Sequence, residues 1–110
     1  MNNLDSQTQE KLKELQVHEQ NMRNILMQKQ AFEMELSETE NALHEVSSTK
    51  DTVYKLIGNI LVKSDKNKIE DDLKKKKELL SLRIKSIQSQ HTSIENQLDS
   101  LKKEVLKKIK

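Results

Sequence analysis

Glycine occurs once in this chain, at position 58, and proline not at all. Nothing therefore interrupts a helix across residues 5–48 or 67–109, two segments rich in Leu, Lys, Glu and Gln, which are good helix formers. Each is predicted to form one helix, roughly 60 Å long at 1.5 Å per residue. Apolar spacing says what kind. In the first segment Leu15, Met22, Lys29, Leu36 and Leu43 form one heptad series, and His18, Ile25, Phe32, Thr39 and Val46 form its companion. That is a coiled-coil seam with polar interruptions. In the second, Leu73, Leu80, Ile87, Ile94 and Leu101 run unbroken, with Lys77, Ile84, His91, Leu98 and Val105 beside them. A strict seven-residue repeat winds helices together left-handedly.

The boundaries have local causes. "SSTKDT", from Ser47 to Thr52, crowds hydroxyls and an aspartate that compete for backbone hydrogen bonds, so the first helix should end there. "SDKNKIEDD" restarts the helix, with Asp65 or Asn67 as N-cap and Glu70, Asp71 and Asp72 placing negative charge on the first turns. A short connection makes the two long helices antiparallel neighbours, which brings the chain ends together at the end away from the connection.

That connection, "VYKLIGNILV", is apolar on almost every residue. Gly58-Asn59 is a two-residue hairpin signal of type I′ or II′, and it predicts a β-hairpin over about residues 53–63. The register pairs Ile57 with Ile60, Leu56 with Leu61 and Lys55 with Val62. Val53, Ile57, Ile60 and Val62 then share one face, and Tyr54, Leu56 and Leu61 the other. A two-stranded hairpin is marginal alone in water, and its free edges invite further strands. Its own helices are committed to each other, so other chains must cover it. A plain tight connector is the simpler alternative, but it would not need apolar residues on both faces.

Composition narrows the function classes. With 33% apolar, 35% charged and 2% aromatic residues, the chain is poor in the side chains that fill a globular core. The formal net charge is only +2, which gives no strong field for nucleic acid or a membrane surface. Lys74 to Lys77 spread around the helix instead of forming one patch, and Glu70, Asp71 and Asp72 pair with Lys74, Lys75 and Lys76 four residues on. No apolar run approaches the roughly 20 residues of a membrane span. "MNNLDSQTQEKLKELQ" lacks the pattern of a secretion signal, so a cytoplasmic protein is expected. There is no cysteine, and His18, His44 and His91 are scattered without metal-ligand spacing. With one glycine there is no phosphate-binding loop either. No enzyme, no metal and no cofactor is expected.

The chain resembles the prefoldin beta-type subunits, the archaeal ones in particular. The resemblance rests on "QKQAFEMELSETENALHEV", "VYKLIGNILVK" and "IEDDLKKKKELLSLRIKSIQ", and extends over nearly the whole length. One hairpin, not two, points to the beta type. The resemblance implies a mainly α fold, residues 1–110 forming a single domain in which a long antiparallel coiled-coil hairpin carries one β-hairpin. It further implies a hexamer of two alpha and four beta subunits whose hairpins, here Val53, Tyr54, Leu56, Ile57, Gly58, Ile60, Leu61 and Val62, join in an intersubunit β-barrel. Coiled-coil tips would then hold unfolded polypeptides without ATP and deliver them to a group II chaperonin.

The residues at the chain ends agree with that. Leu4, Leu12, Leu15 and Val17 lie at one end of the pair with Val105, Leu106 and Ile109, and Leu12, Val17 and Leu106 fall off the heptad series. They read as an adaptable apolar patch for non-native chains, or as frayed helix ends with ordinary surface leucines. Lys102, Lys103, Lys107, Lys108 and Lys110 complement the helix dipole or also steer an acidic partner such as a chaperonin rim. The rival reading is an adaptor coiled coil whose tips bind one folded partner.

Overall fold

A computed structural model describes residues 5–109, the side chain of Ile109 excepted. The element order is α1 (Ser6–Ser48), β1 (Val53–Ile57), β2 (Ile60–Ser64) and α2 (Lys66–Ile109). Asp5 caps α1, its carboxylate accepting the Thr8 N–H at 2.7 Å while its carbonyl accepts from Gln9. This bond, Thr8 and the nearby Lys108 and Lys11 together hold the Asp5 carboxyl below its usual 3.8. At the other end of α1 the Ser48 hydroxyl turns back to the His44 carbonyl, which is how the hydroxyl-rich stretch closes the helix.

Asp65 is the N-cap of α2: its carboxylate accepts the Asn67 N–H at 3.1 Å, and Asn67, the other candidate, lies inside the helix. Because α2 begins at Lys66, Glu70, Asp71 and Asp72 fall in its second turn, and the first turn holds no acidic residue. The negative charge on the first turns thus starts at the second, and at the helix end itself the Asp65 cap supplies it.

The chain divides into two units, residues 1–30 with 85–110 and residues 31–84, and each has its own stretch of seam. In the first, Ile25, Ile87, Leu98 and Val105 are buried, and Lys11 pairs with Glu104 at 2.9 Å while Lys29 donates to the Gln88 side chain at 2.7 Å. As numbers rise along α1 they fall along α2, so the helices run antiparallel. In the second, Leu80 is buried, Lys76 reaches Glu35 at 3.2 Å and Lys77 reaches Glu40 at 3.7 Å. Lys76 therefore crosses to α1, where the sequence had paired it with Asp72 along its own helix. Arg83 stacks over the Phe32 ring at 5.8 Å, using a charged side chain to cover the seam's one phenyl group.

Polar seam positions are satisfied or tolerated in different ways. Thr39 is buried, and its hydroxyl donates to the Glu35 carbonyl at 2.7 Å within its own helix. Thr8, one heptad before Leu15, is also buried on this series. His18 and His91 sit on the seam as the periodicity predicts, each with a buried Nδ1 that has no hydrogen-bond partner. His91 Nε2 is 4.0 Å from the Glu95 carboxylate.

The seam is what separates core from surface here, and substitutions test it directly. Leu80→Ala, at a side chain 2% exposed, should cost about 2–3 kcal/mol in a denaturant titration. Leu82→Ala, at 58% exposure on the same helix, should cost no more than about 0.5 kcal/mol.

Candidate functional site

The hairpin is the most distinctive surface of the second unit. β1 and β2 form an antiparallel sheet in the register Val53↔Ser64, Tyr54↔Lys63, Lys55↔Val62, Leu56↔Leu61 and Ile57↔Ile60. Those pairs include every one expected from the Gly58-Asn59 turn. Gly58 has φ +59°, and no other described residue has a positive φ, so of the two hairpin turns the φ signs fit type II′. A Cβ at Gly58 would meet nothing within 4 Å, which makes glycine a requirement of the backbone and not of packing.

Register fixes the faces. Val53, Lys55, Ile57, Ile60, Val62 and Ser64 share one, and Tyr54, Leu56, Leu61 and Lys63 the other. Tyr54, Leu56, Ile57, Ile60, Leu61 and Val62 are all exposed, Leu56, Ile60 and Leu61 at 66%, and only Val53 is half-buried. Both faces are apolar and both are open to solvent. Among the described residues the sheet has two strands, so each strand also presents an outer edge without a partner strand.

A polar anchor holds the root of this hairpin. The Lys66 ammonium donates to the Thr49 carbonyl at 2.7 Å and lies 3.4 Å from the Ser47 carbonyl, at the end of α1. The Asp51 N–H donates to the Thr49 hydroxyl at 3.1 Å, shaping the bend that leads into β1. Lys66 is not among the site residues expected from the sequence. Its position one heptad before Leu73, and a cation at the start of a helix, where the dipole disfavours it, were the signals available.

At the helix ends of the first unit the expected patch is narrower than the sequence suggested. Val17 and Leu106 are exposed, whereas Leu12 and Leu15 are half-buried. Val105 is only 5% exposed, because it is a seam residue packed between the helices, and its place in an exposed patch is corrected. Leu4 and Lys110 lie outside the described residues, and Ile109 ends α2. Lys107 and Lys108 occupy the last turn of α2, where cations suit the dipole, and Lys102 and Lys103 are exposed. The charge of Lys108 is also felt by Asp5. An open cleft of about 390 Å³ lined by Glu14, His18, Asn96, Gln97, Ser100 and Leu101 also lies in this unit. Among the described residues no three His, Cys, Asp or Glu side chains converge as a metal site would need, and no helix is long and apolar enough to cross a membrane.

Comparison with known proteins follows the same lines. The prefoldin subunit family model matches residues 9–110. The chain is 36% identical over 104 residues to a prefoldin subunit beta of Saccharolobus islandicus, covering 93% of this chain and 82% of that protein. It is 31% identical over 107 residues to the prefoldin subunit beta of Thermococcus onnurineus, covering 96% and 92%. The crystal structure of the prefoldin beta subunit from Thermococcus strain KS-1 matches with a TM-score of 0.86 and 32% identity, over 96% of this chain and 94% of that one. Two long helices joined by an exposed antiparallel hairpin, and relatives of that kind along almost the whole length, mean that this chain belongs to the prefoldin family of chaperone subunits, to its beta type.

Proposed function

We propose that residues 1–110 act as one prefoldin beta-type domain in a cytoplasmic, ATP-independent chaperone, built with alpha-type subunits into a hexamer of two alpha and four beta chains. The observation that carries this reading is the hairpin, whose large apolar side chains are exposed on both faces. Removing one such side chain from water is worth about 1.5–3 kcal/mol, so a shared sheet or barrel with neighbouring hairpins is strongly favoured once chains meet. Such a role needs no catalytic group.

Non-native polypeptides are held, in this proposal, at the helix ends. Val17 and Leu106 offer exposed apolar contacts there, and the half-buried Leu12 and Leu15 add to them where the ends loosen. Leu4, near the start of the sequence, and Ile109, near its end, are assigned to the same patch. A group II chaperonin receives the client, and Lys102, Lys103 and Lys107 favour an acidic docking surface on it.

Two experiments separate assembly from client binding. Ile60→Asp combined with Val62→Asp should block incorporation into the complex while leaving most of the helical circular dichroism, because each charge costs several kcal/mol on a face that becomes dry. A double variant that still assembles, read by native mass spectrometry, contradicts the shared-sheet assignment. Val17→Ser combined with Leu106→Ser should leave the mass of the complex unchanged. Its suppression of aggregation of a denatured protein should fall roughly tenfold, since weak contacts at several tips act together. Undiminished protection would move client binding away from these ends.

A further inference from the structure

Lys66 stands in the wrong place by local rules. It is the first residue of α2, where the exposed N–H groups give the helix end a partial positive charge and a cation is disfavoured. α1 has the matching deficit, with no basic residue in its last turn to meet its unpaired carbonyls. The Lys66 ammonium resolves both by leaving its own helix and donating to the Thr49 carbonyl at 2.7 Å, with the Ser47 carbonyl at 3.4 Å. The first of these bonds is partly buried, so solvent does not simply replace it. The bond also closes a loop. Thr49 leads through the bend at Asp51 into β1, and β2 ends at Ser64, separated from Lys66 by Asp65 alone. One side chain therefore ties the exit of α1 to the entry of α2 across the root of the hairpin.

Packing cannot do this instead. Apart from the half-buried Val53 and Ser64 at its base, every residue of both strands is exposed, so the apolar faces do not hold the hairpin to the helices. We propose that Lys66 is a positioning residue for assembly: its ammonium clamps the end of α1 to the start of α2 and so fixes the direction in which the hairpin is presented to neighbouring subunits. A pre-set direction removes ordering entropy that would otherwise oppose association. The inference rests on the reading of the hairpin as the assembly surface.

The test uses the full chain, an alpha-type prefoldin subunit, and three variants. Lys66→Met keeps the apolar stem and removes the donor; Lys66→Arg keeps a cationic donor; Lys68→Met removes a neighbouring exposed lysine. Helical circular dichroism of the isolated chain should be unchanged in all three. Lys66→Met should weaken association with the alpha-type subunit about tenfold, because a hairpin whose direction is no longer set must be ordered on binding. It should also speed exchange of the paired hairpin amides of Val53, Lys55, Ile57, Ile60, Val62 and Ser64 relative to those of the helices. Lys66→Arg should restore most of the affinity, and Lys68→Met should match the wild type. Equal affinity and equal hairpin exchange in Lys66→Met and wild type overturn the proposal, and so does a loss of helical signal in Lys66→Met, which would make Lys66 a general fold residue. If the wild-type chain does not bind the alpha-type subunit at all, the assembly reading fails, and the ratio of hairpin to helix exchange alone decides the clamp.

Discussion

Burial of one apolar stripe on each of two long helices is the interaction on which everything else here depends. A helix of 43 or 44 residues that is mostly polar has little reason to persist alone, and it becomes stable by laying Ile25, Leu80, Ile87, Leu98 and Val105 against its neighbour. That burial commits the seam of each helix to the other helix, and the strands between them stay exposed. A chain built this way is complete as a coiled coil and incomplete as a sheet.

Polar residues on the seam set how firmly it holds. Lys11 with Glu104, Lys29 with Gln88, Lys76 with Glu35 and Lys77 with Glu40 bridge the helices at solvent-exposed edges, where each such pair is worth only a fraction of a kcal/mol up to about 1 kcal/mol. Their larger effect is on register, since a sliding of one helix past the other would separate all of them together. His18 and His91 weaken the first unit instead, each burying a ring nitrogen without a partner. The seam is thus firm at Leu80 and Ile87 and weaker at its histidines.

The helices, the hairpin and its register were legible in the sequence because each rests on a hard constraint: no proline, one glycine, and a period of seven. Gly58-Asn59 fixes which residues face each other, and Ile57↔Ile60 follows with no further information. What escaped depends on contacts between distant residues. Lys66 bonds to a carbonyl 17 positions earlier, and only its place one heptad before Leu73 and a charge of the wrong sign at a helix start hint at it. Lys76 was assigned to Asp72 by spacing along one helix, yet Glu35 across the seam is the partner found. Val105 lies both at the chain end and on the heptad series, and the series position is what decides its burial. Thr8 is the opposite case, a hydroxyl one heptad before Leu15 whose residue type does not signal core.

Amide exchange on the hairpin tests the central claim, that other chains complete this sheet, most directly. The pair that closes a two-residue turn is hydrogen-bonded, so alternation along the observed register sends the N–H groups of Tyr54, Leu56, Leu61 and Lys63 outward from the two strands. In the isolated chain those four amides should exchange as freely as a loop. In the complex with alpha-type subunits they should become protected to the level of the helical seam, as strands from neighbouring chains take up the edges. Protection confined to the helices, with Tyr54, Leu56, Leu61 and Lys63 still open in the assembled complex, would contradict the account.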